Sequence, residues 1–146
     1  MDVFDLNAVY AIEQNVHITP WSKEILYHCM LVGYQCYVLC IKKRSKERLI
    51  GYRIQRISDN ALHILNLCID RPYQRKGYGK ILLNHCINNI SIENQISEIK
   101  LEVRVNNHKA IKLYENAGFQ IASTLSDYYK DETGMEDALL LIKKLS

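Results

Sequence analysis

The sequence has few of the residues that interrupt regular structure, with two prolines and six glycines among 146 residues. That scarcity excludes collagen-like repeats and low-complexity linkers. No apolar run approaches the roughly 18 residues that a membrane helix needs. The longest candidate, Ala138 to Ile142, is the size of a strand. Neither charge is in marked excess: 19 Lys and Arg face 16 Asp and Glu, for a formal net charge of +3. That balance is too mild to argue for nucleic acid as a partner. The opening Met1-Asp2-Val3-Phe4-Asp5 carries acidic residues where an export signal carries basic ones, so none is expected. The five cysteines (Cys29, Cys36, Cys40, Cys68, Cys86) are odd in number and include no Cys-x-x-Cys pair. Neither a disulfide framework nor a zinc site is expected; they read as reduced core residues of a cytosolic protein. The five histidines form no His-x-x-x-His pair, so no metal is expected and solvated or core roles suit them.

What the chain does have is apolar material for one core. Its 48% hydrophobic and 24% charged residues exclude disorder and predict a single domain over 1–146. Leu6, Val9, Tyr10 and Ile12 predict a helix from Asp5 to Gln14 with Asp5 as its cap. Pro20 holds Thr19 extended, and Ser22 caps a second helix through Leu31. Tyr34 to Ile41 reads as a strand, Lys42 to Arg48 as a charged turn, and Leu49 to Ile57 as the returning strand. Ser58-Asp59-Asn60 is a turn signal, and Leu62 to Ile69 completes an antiparallel meander of three.

The period then changes. Leu82, Leu83, Cys86, Ile87 and Ile90 mark a helix from about Gly79 to Ile90. Ile99, Leu101, Val103 and Val105 alternate with Glu98, Lys100, Glu102 and Arg104, a strand with one apolar and one polar face. Ala110, Ile111, Tyr114 and Ala117 form the stripe of another helix, which Gly118 stops. Strands follow from Phe119 and over Ala138 to Lys143, and polar Asp127 to Glu136 between them reads as a hairpin or loop. The element order predicts an α+β domain with a mixed, mostly antiparallel sheet flanked by helices.

Two stretches carry chemistry. The first is Arg71-Pro72-Tyr73-Gln74-Arg75-Lys76-Gly77-Tyr78-Gly79-Lys80, between a strand and an amphipathic helix. Gly77 and Gly79 permit a tight turn with converging backbone N–H groups, and the helix adds unpaired amides and its positive dipole end. With Arg75, Lys76 and Lys80 this suits phosphate; an ordinary strand-to-helix turn with solvated lysines is the other reading. It lacks the G-x-G-x-x-G order of a dinucleotide fold, and there is no Walker pattern. In its setting the stretch resembles the Gcn5-related N-acetyltransferase (GNAT) family, whose signature is Q/R-x-x-G-x-G/A at such a junction. The resemblance implies the acyl-CoA N-acyltransferase fold. It also implies acetyl-coenzyme A bound by Arg75, Lys76, Gly77, Tyr78, Gly79 and Lys80, with the backbone of Leu67, Cys68 and Ile69 along the pantetheine arm.

The second stretch runs from Leu101-Glu102-Val103-Arg104-Val105-Asn106-Asn107 through Ala110 to Phe119. With Ile12-Glu13-Gln14, Pro20-Trp21-Ser22, Tyr128-Tyr129 and Gly134 to Ala138, it is similar to the branch of that family that acetylates the N-terminal alanine of a ribosomal protein. Taken by itself, Glu102 is either a base facing a cleft or a surface carboxylate paired with Lys100 or Arg104. Tyr114 suits its helix stripe, and Asn107 an N-cap. The resemblance implies Glu102 as general base, Tyr114 as the acid that protonates the departing thiolate, and Asn107 as a cofactor contact. Acetyl transfer would be direct, in a ternary complex, and Cys68 would not carry the acetyl group.

Tyr128, Tyr129 and the acidic group Asp131, Glu132, Glu136 and Asp137 fall late in the chain. They read either as a solvated hairpin tip or as one wall of the acceptor site, with Glu13 and Trp21 as the opposite wall. Carboxylates there would suit a basic peptide. The resemblance implies that the acceptor is the N-terminal alanine of the eighteenth protein of the small ribosomal subunit. It implies a cytoplasmic monomer, with neither nucleic acid nor membrane as partner. An acetyltransferase for a small amine and a non-catalytic acyl-coenzyme A binder are the competing classes.

Overall fold

A computed structural model describes residues 1–90 and 95–145. Among these residues, four α-helices and six strands follow in the order α1 (Leu6–Val16), α2 (Lys23–Leu31), β1 (Gln35–Lys43), β2 (Lys46–Ser58), β3 (Ala61–Ile69), α3 (Tyr78–Asn88), β4 (Glu98–Arg104), α4 (His108–Asn116), β5 (Gln120–Asp131) and β6 (Gly134–Lys144). The six strands form one sheet in the order β1-β2-β3-β4-β6-β5. The β1–β2, β4–β6 and β5–β6 pairs are antiparallel, and β3 lies parallel to β4 over Ala61–His63 against Glu98–Lys100. The expected α+β class and its mixed sheet are therefore present.

The chain divides into two compact units, Met1–Arg56 with Asn66–Asn88 and Ile57–Leu65 with Asn89–Ser146. In the first, Leu6, Val9, Ile12, Leu26, Ile54 and Leu83 are buried. The turn between β1 and β2 places Arg44 and Ser45 in the left-handed region, φ 50° and 65°. Two such residues make a hairpin turn whose twist matches that of the strands. Ile50 is an extra residue on β2, between the Leu39↔Gly51 and Cys40↔Leu49 pairs, and its carbonyl accepts from Asp70 N at 2.8 Å. Ser22 caps α2 as expected, its hydroxyl accepting from Ile25 N at 3.2 Å. Asp5 makes no side-chain cap bond to α1. A short 3-10 turn precedes that helix, and Asp5 Oδ2 reaches back to Asp2 N at 2.9 Å while Asp2 Oδ1 accepts from Phe4 N at 2.8 Å. The cap thus sits three residues earlier than the sequence suggests.

In the second unit, Ile99, Leu101 and Val103 of β4 are buried with Phe119, Ala138 and Leu141. Asn107 caps α4, its side chain accepting from Ala110 N at 3.3 Å, and Gly118 ends that helix at φ +96°. The stretch Asp127 to Glu136 is mostly strand, with β5 continuing to Asp131 and β6 beginning at Gly134. The hairpin expected there is therefore present, turning at Glu132 and Thr133, and its polar composition follows from β5 being an outer strand with little buried side. The ladder skips Ser126 to Tyr128, between Leu125↔Ala138 and Tyr129↔Glu136. Asp127 takes φ +52° there and donates its N–H to Asp137 Oδ1 at 2.8 Å.

Among the described residues no helix is long and apolar enough to cross a membrane. Nor does any group of three or more His, Cys, Asp or Glu among them stand ready to hold a metal ion.

Candidate active site

The turn after β3 belongs to the first unit. A 3-10 turn, Arg71–Tyr73, is capped by Asp70, whose Oδ1 accepts from Arg71 N at 3.0 Å. Gln74, first residue of the Gln-x-x-Gly-x-Gly run, donates its Nε2 to Ile69 O at 2.9 Å and so ties the turn to the end of β3. Arg75 and Gly77 both take left-handed backbone angles, φ 62° and 87°, and the chain then enters α3 at Tyr78. Nothing lies within 4 Å of the place where a Cβ on Gly77 would stand, so that side of the turn is open. The amides of Tyr78, Gly79 and Lys80 open the first turn of α3 and have no acceptor four residues back. Arg75, Lys76 and Lys80 are exposed. Bare amides, a helix dipole and three cations around an open bend fit a diphosphate.

Leu67, Cys68 and Ile69 end β3, beyond the Ala61–His63 ladder with β4. At Gly51 the backbone of β2 comes so close that a Cβ would stand 2.8 Å from Cys68 O. Cys68 is 3% exposed. Burial, with the Glu13 charge adding to it, pushes its thiol up to about 12. Such a thiol stays protonated at neutral pH and is a poor nucleophile. Iodoacetamide on the native protein is therefore expected to label the half-buried Cys40 well before Cys68, read by peptide mass spectrometry. Early loss of the Cys68 thiol would reopen a covalent route.

Glu13 and Trp21 meet in the first unit, but not as an exposed wall. Glu13 is 1% exposed, on the inner face of α1. Its carboxylate accepts from the Tyr52 hydroxyl, from Asn66 Nδ2 at 2.6 Å and from Trp21 N at 3.2 Å, and His17 Nε2 stands 3.5 Å away. Burial first, then the nearby Cys68 and Glu13, drives the Tyr52 phenol far above its usual range, so it remains a donor.

The second unit gathers Glu102, Tyr128, Tyr129 and Asp137 with Arg104. Glu102 occupies the polar face of β4, between buried Leu101 and Val103. Its charge contributes, after burial, to raising both the Tyr128 and Tyr129 phenols, Tyr129 to about 12. Arg104 stacks its guanidinium 4.3 Å from the Tyr129 ring centroid and pairs with Glu136 at 3.2 Å and Asp131 at 3.5 Å. Thr133 holds the Asp131 carboxyl below its usual range through its hydroxyl and amide. Asp131, Glu136 and Asp137 thus all have partners within the chain, which neither a solvated hairpin tip nor an acidic wall of the acceptor site anticipates. Tyr114 is buried on α4, edge-on to Phe119 at 5.7 Å.

Glu102 does not pair with Lys100 or Arg104. Its partner is His63, whose Nε2 stands 2.6 Å from Glu102 Oε2. No spacing rule links positions 63 and 102. The only signal was the parallel register, which aligns His63 with Lys100, one pleat period from Glu102.

The family model for acetyltransferases (GNAT) matches residues 6–119. The [ribosomal protein bS18]-alanine N-acetyltransferase of Salmonella typhimurium is 32% identical over 142 residues, covering 97% of this chain and 93% of its own. The enzyme of the same name from Escherichia coli is 31% identical over 146 residues, covering 100% of this chain and 95% of its own. The crystal structure of the ribosomal-protein-S18-alanine N-acetyltransferase from Escherichia coli superposes with a TM-score of 0.86 at 32% identity, over 100% of this chain and 91% of that one. Matched over most of its length by the family model and end to end by these enzymes, the chain belongs to the acetyltransferase (GNAT) family.

Proposed function

We propose that residues 1–146 act as one domain that moves an acetyl group from acetyl-coenzyme A to the α-amine of an N-terminal alanine. The acceptor would be the small-subunit ribosomal protein named in its relatives. The observation that carries this is that the likeness to those enzymes spans the late strands and the Glu102 cluster as well as the diphosphate-type turn. A bare turn of that kind would suit any acyl-coenzyme A protein. We take the chain to work as a cytoplasmic monomer, with neither nucleic acid nor membrane as partner.

Acetyl-coenzyme A, when bound, supplies a thioester whose carbonyl carbon can accept an amine lone pair. Arg75, Lys76 and Lys80 with the amides from Gly77 to Lys80 would hold its diphosphate, the main chain of Leu67 to Ile69 its arm, and Asn107 a further polar contact. Glu102 takes a proton from the α-ammonium, whose pKa near 7.7–8.0 lets a modest base suffice. Tyr114 gives a proton to the departing sulfur. One N–C bond forms and one C–S bond breaks. Of the two protons the ammonium loses, one matches the thiol's gain and the other leaves through Glu102. On the acceptor side, Tyr128 and Tyr129 offer aromatic surface, Asp137 fixes the β5 bulge, and Glu13 acts through its hold on the Trp21 main chain.

Incubation of an alanine-initiated, arginine-rich peptide with acetyl-coenzyme A is expected to add one acetyl group at the α-amine, read by fragment-ion mass spectrometry. Acetylation of spermidine alone would favour a small-amine enzyme. Heat stabilisation by acetyl-coenzyme A without turnover would leave only a binding module.

A further inference from the structure

The His63–Glu102 pair has a property that an ordinary surface ion pair lacks. Its side chains are 12% and 18% exposed, so the contact is largely shielded from water while still open at one edge. The other ring nitrogen, His63 Nδ1, is buried and has no hydrogen-bond partner among the described residues. A ring nitrogen that carries a proton in such a place would be left unsatisfied, at a higher cost than a bare lone pair. The geometry therefore suits the tautomer with its proton on Nε2, donated to Glu102 Oε2. Of the two cations on that face of β4, Arg104 is committed to Glu136 and Asp131, and Lys100 forms no ion pair with Glu102, so neither competes with His63.

We propose that His63 is a positioning residue for acetyl transfer: by holding Oε2 it fixes the Glu102 carboxylate and leaves Oε1 as the oxygen that takes the amine proton. A glutamate on a strand has three side-chain torsions to order, and one charge-assisted hydrogen bond from a rigid ring removes most of that freedom. Orientation of a proton acceptor to within a fraction of an ångström is worth up to about 100-fold in rate. This inference rests on the proposed reading of Glu102 as base.

The test is a double-mutant cycle of His63→Leu and His63→Gln, each alone and with Glu102→Gln, on the full chain. His63→Leu is expected to lower kcat about 10- to 100-fold with both KM values nearly unchanged. His63→Gln should recover much of that loss, since its amide can still donate to the carboxylate. With Glu102→Gln present, His63→Leu should add nothing further. Wild-type kcat in His63→Leu, or an equal further loss in the Glu102→Gln background, would overturn the proposal. Should His63→Leu fold poorly, the glutamine variant and the ring itself still decide. The side-chain ¹⁵N signals of His63 should shift in Glu102→Gln, and unchanged signals overturn the pairing whatever the enzyme acetylates. A wild-type chain that acetylates neither peptide nor polyamine would instead overturn the proposed function, and the positioning role with it.

Discussion

Replacing Glu102 by glutamine should lower kcat for peptide acetylation by about 10²- to 10⁴-fold, the usual worth of a positioned base. Glutamine keeps nearly the same shape and still offers an oxygen to the His63 ring nitrogen 2.6 Å away in the native pair, so the fold should survive. What it removes is the ability to accept the amine proton. Affinity for acetyl-coenzyme A should hold, because the turn from Gln74 to Lys80 lies on other elements. The sign of the pH effect follows from the acceptor. Near pH 7 most of an α-amine with pKa near 7.7–8.0 is protonated, so the base is needed; above about pH 9 the amine is already neutral. The deficit of the variant should therefore shrink as pH rises. An undiminished kcat at pH 7 would remove Glu102 from the chemistry.

Glu13→Ala should destabilise the protein by about 3 kcal/mol, roughly the cost of leaving a buried hydrogen-bonding hub without its centre. The Tyr52 hydroxyl, Asn66 Nδ2 and Trp21 N all lose their acceptor, and Tyr52 itself is fully buried. For a chain of this size that corresponds to a fall in Tm of about 6–12 °C, measurable by calorimetry. Glu13→Gln should cost less, since its carbonyl oxygen can still take one or two of those bonds. The contrast separates two roles. A carboxylate that met the peptide directly would raise peptide KM in Glu13→Gln and leave Tm alone. A buried hub does the reverse.

How much of this was legible in the sequence depends on the range over which each signal acts. Local signals carried well. Ser22 and Asn107 cap their helices, Gly118 stops one in the left-handed region, and the alternation of Ile99, Leu101 and Val103 sets β4 with Glu102 on its polar face. Polar character misled at Glu13, expected as one wall of the acceptor site and in fact buried, and Arg53, Gln55 and Asn66, for which the sequence carries no such signal, are buried as well. Arg53 is satisfied by Gln55 Oε1 at 2.7 Å and Leu82 O at 2.5 Å and lies over the Tyr37 ring, an arrangement spread across three elements that no local pattern encodes. The residues of the site divide in the same way. The Gln74–Lys80 turn is one continuous run and could be read directly. The His63 partner of Glu102 depends on a parallel ladder between strands 37 positions apart, as Ala61 faces Glu98.

The two irregularities of β5 have a consequence for how the molecule behaves in a crowd. β5 is an outermost strand of the sheet and, at twelve residues, long. An unbroken strand of that length would offer a row of free N–H and C=O groups on which another chain could template. Ala122 and the segment around Asp127 break that row twice, since the ladder with β6 skips both. Bulges of this kind twist an edge away from further pairing. The same backbone step that carries Tyr128, whose phenol feels the Glu102 charge, thus guards the rim of the sheet against aggregation.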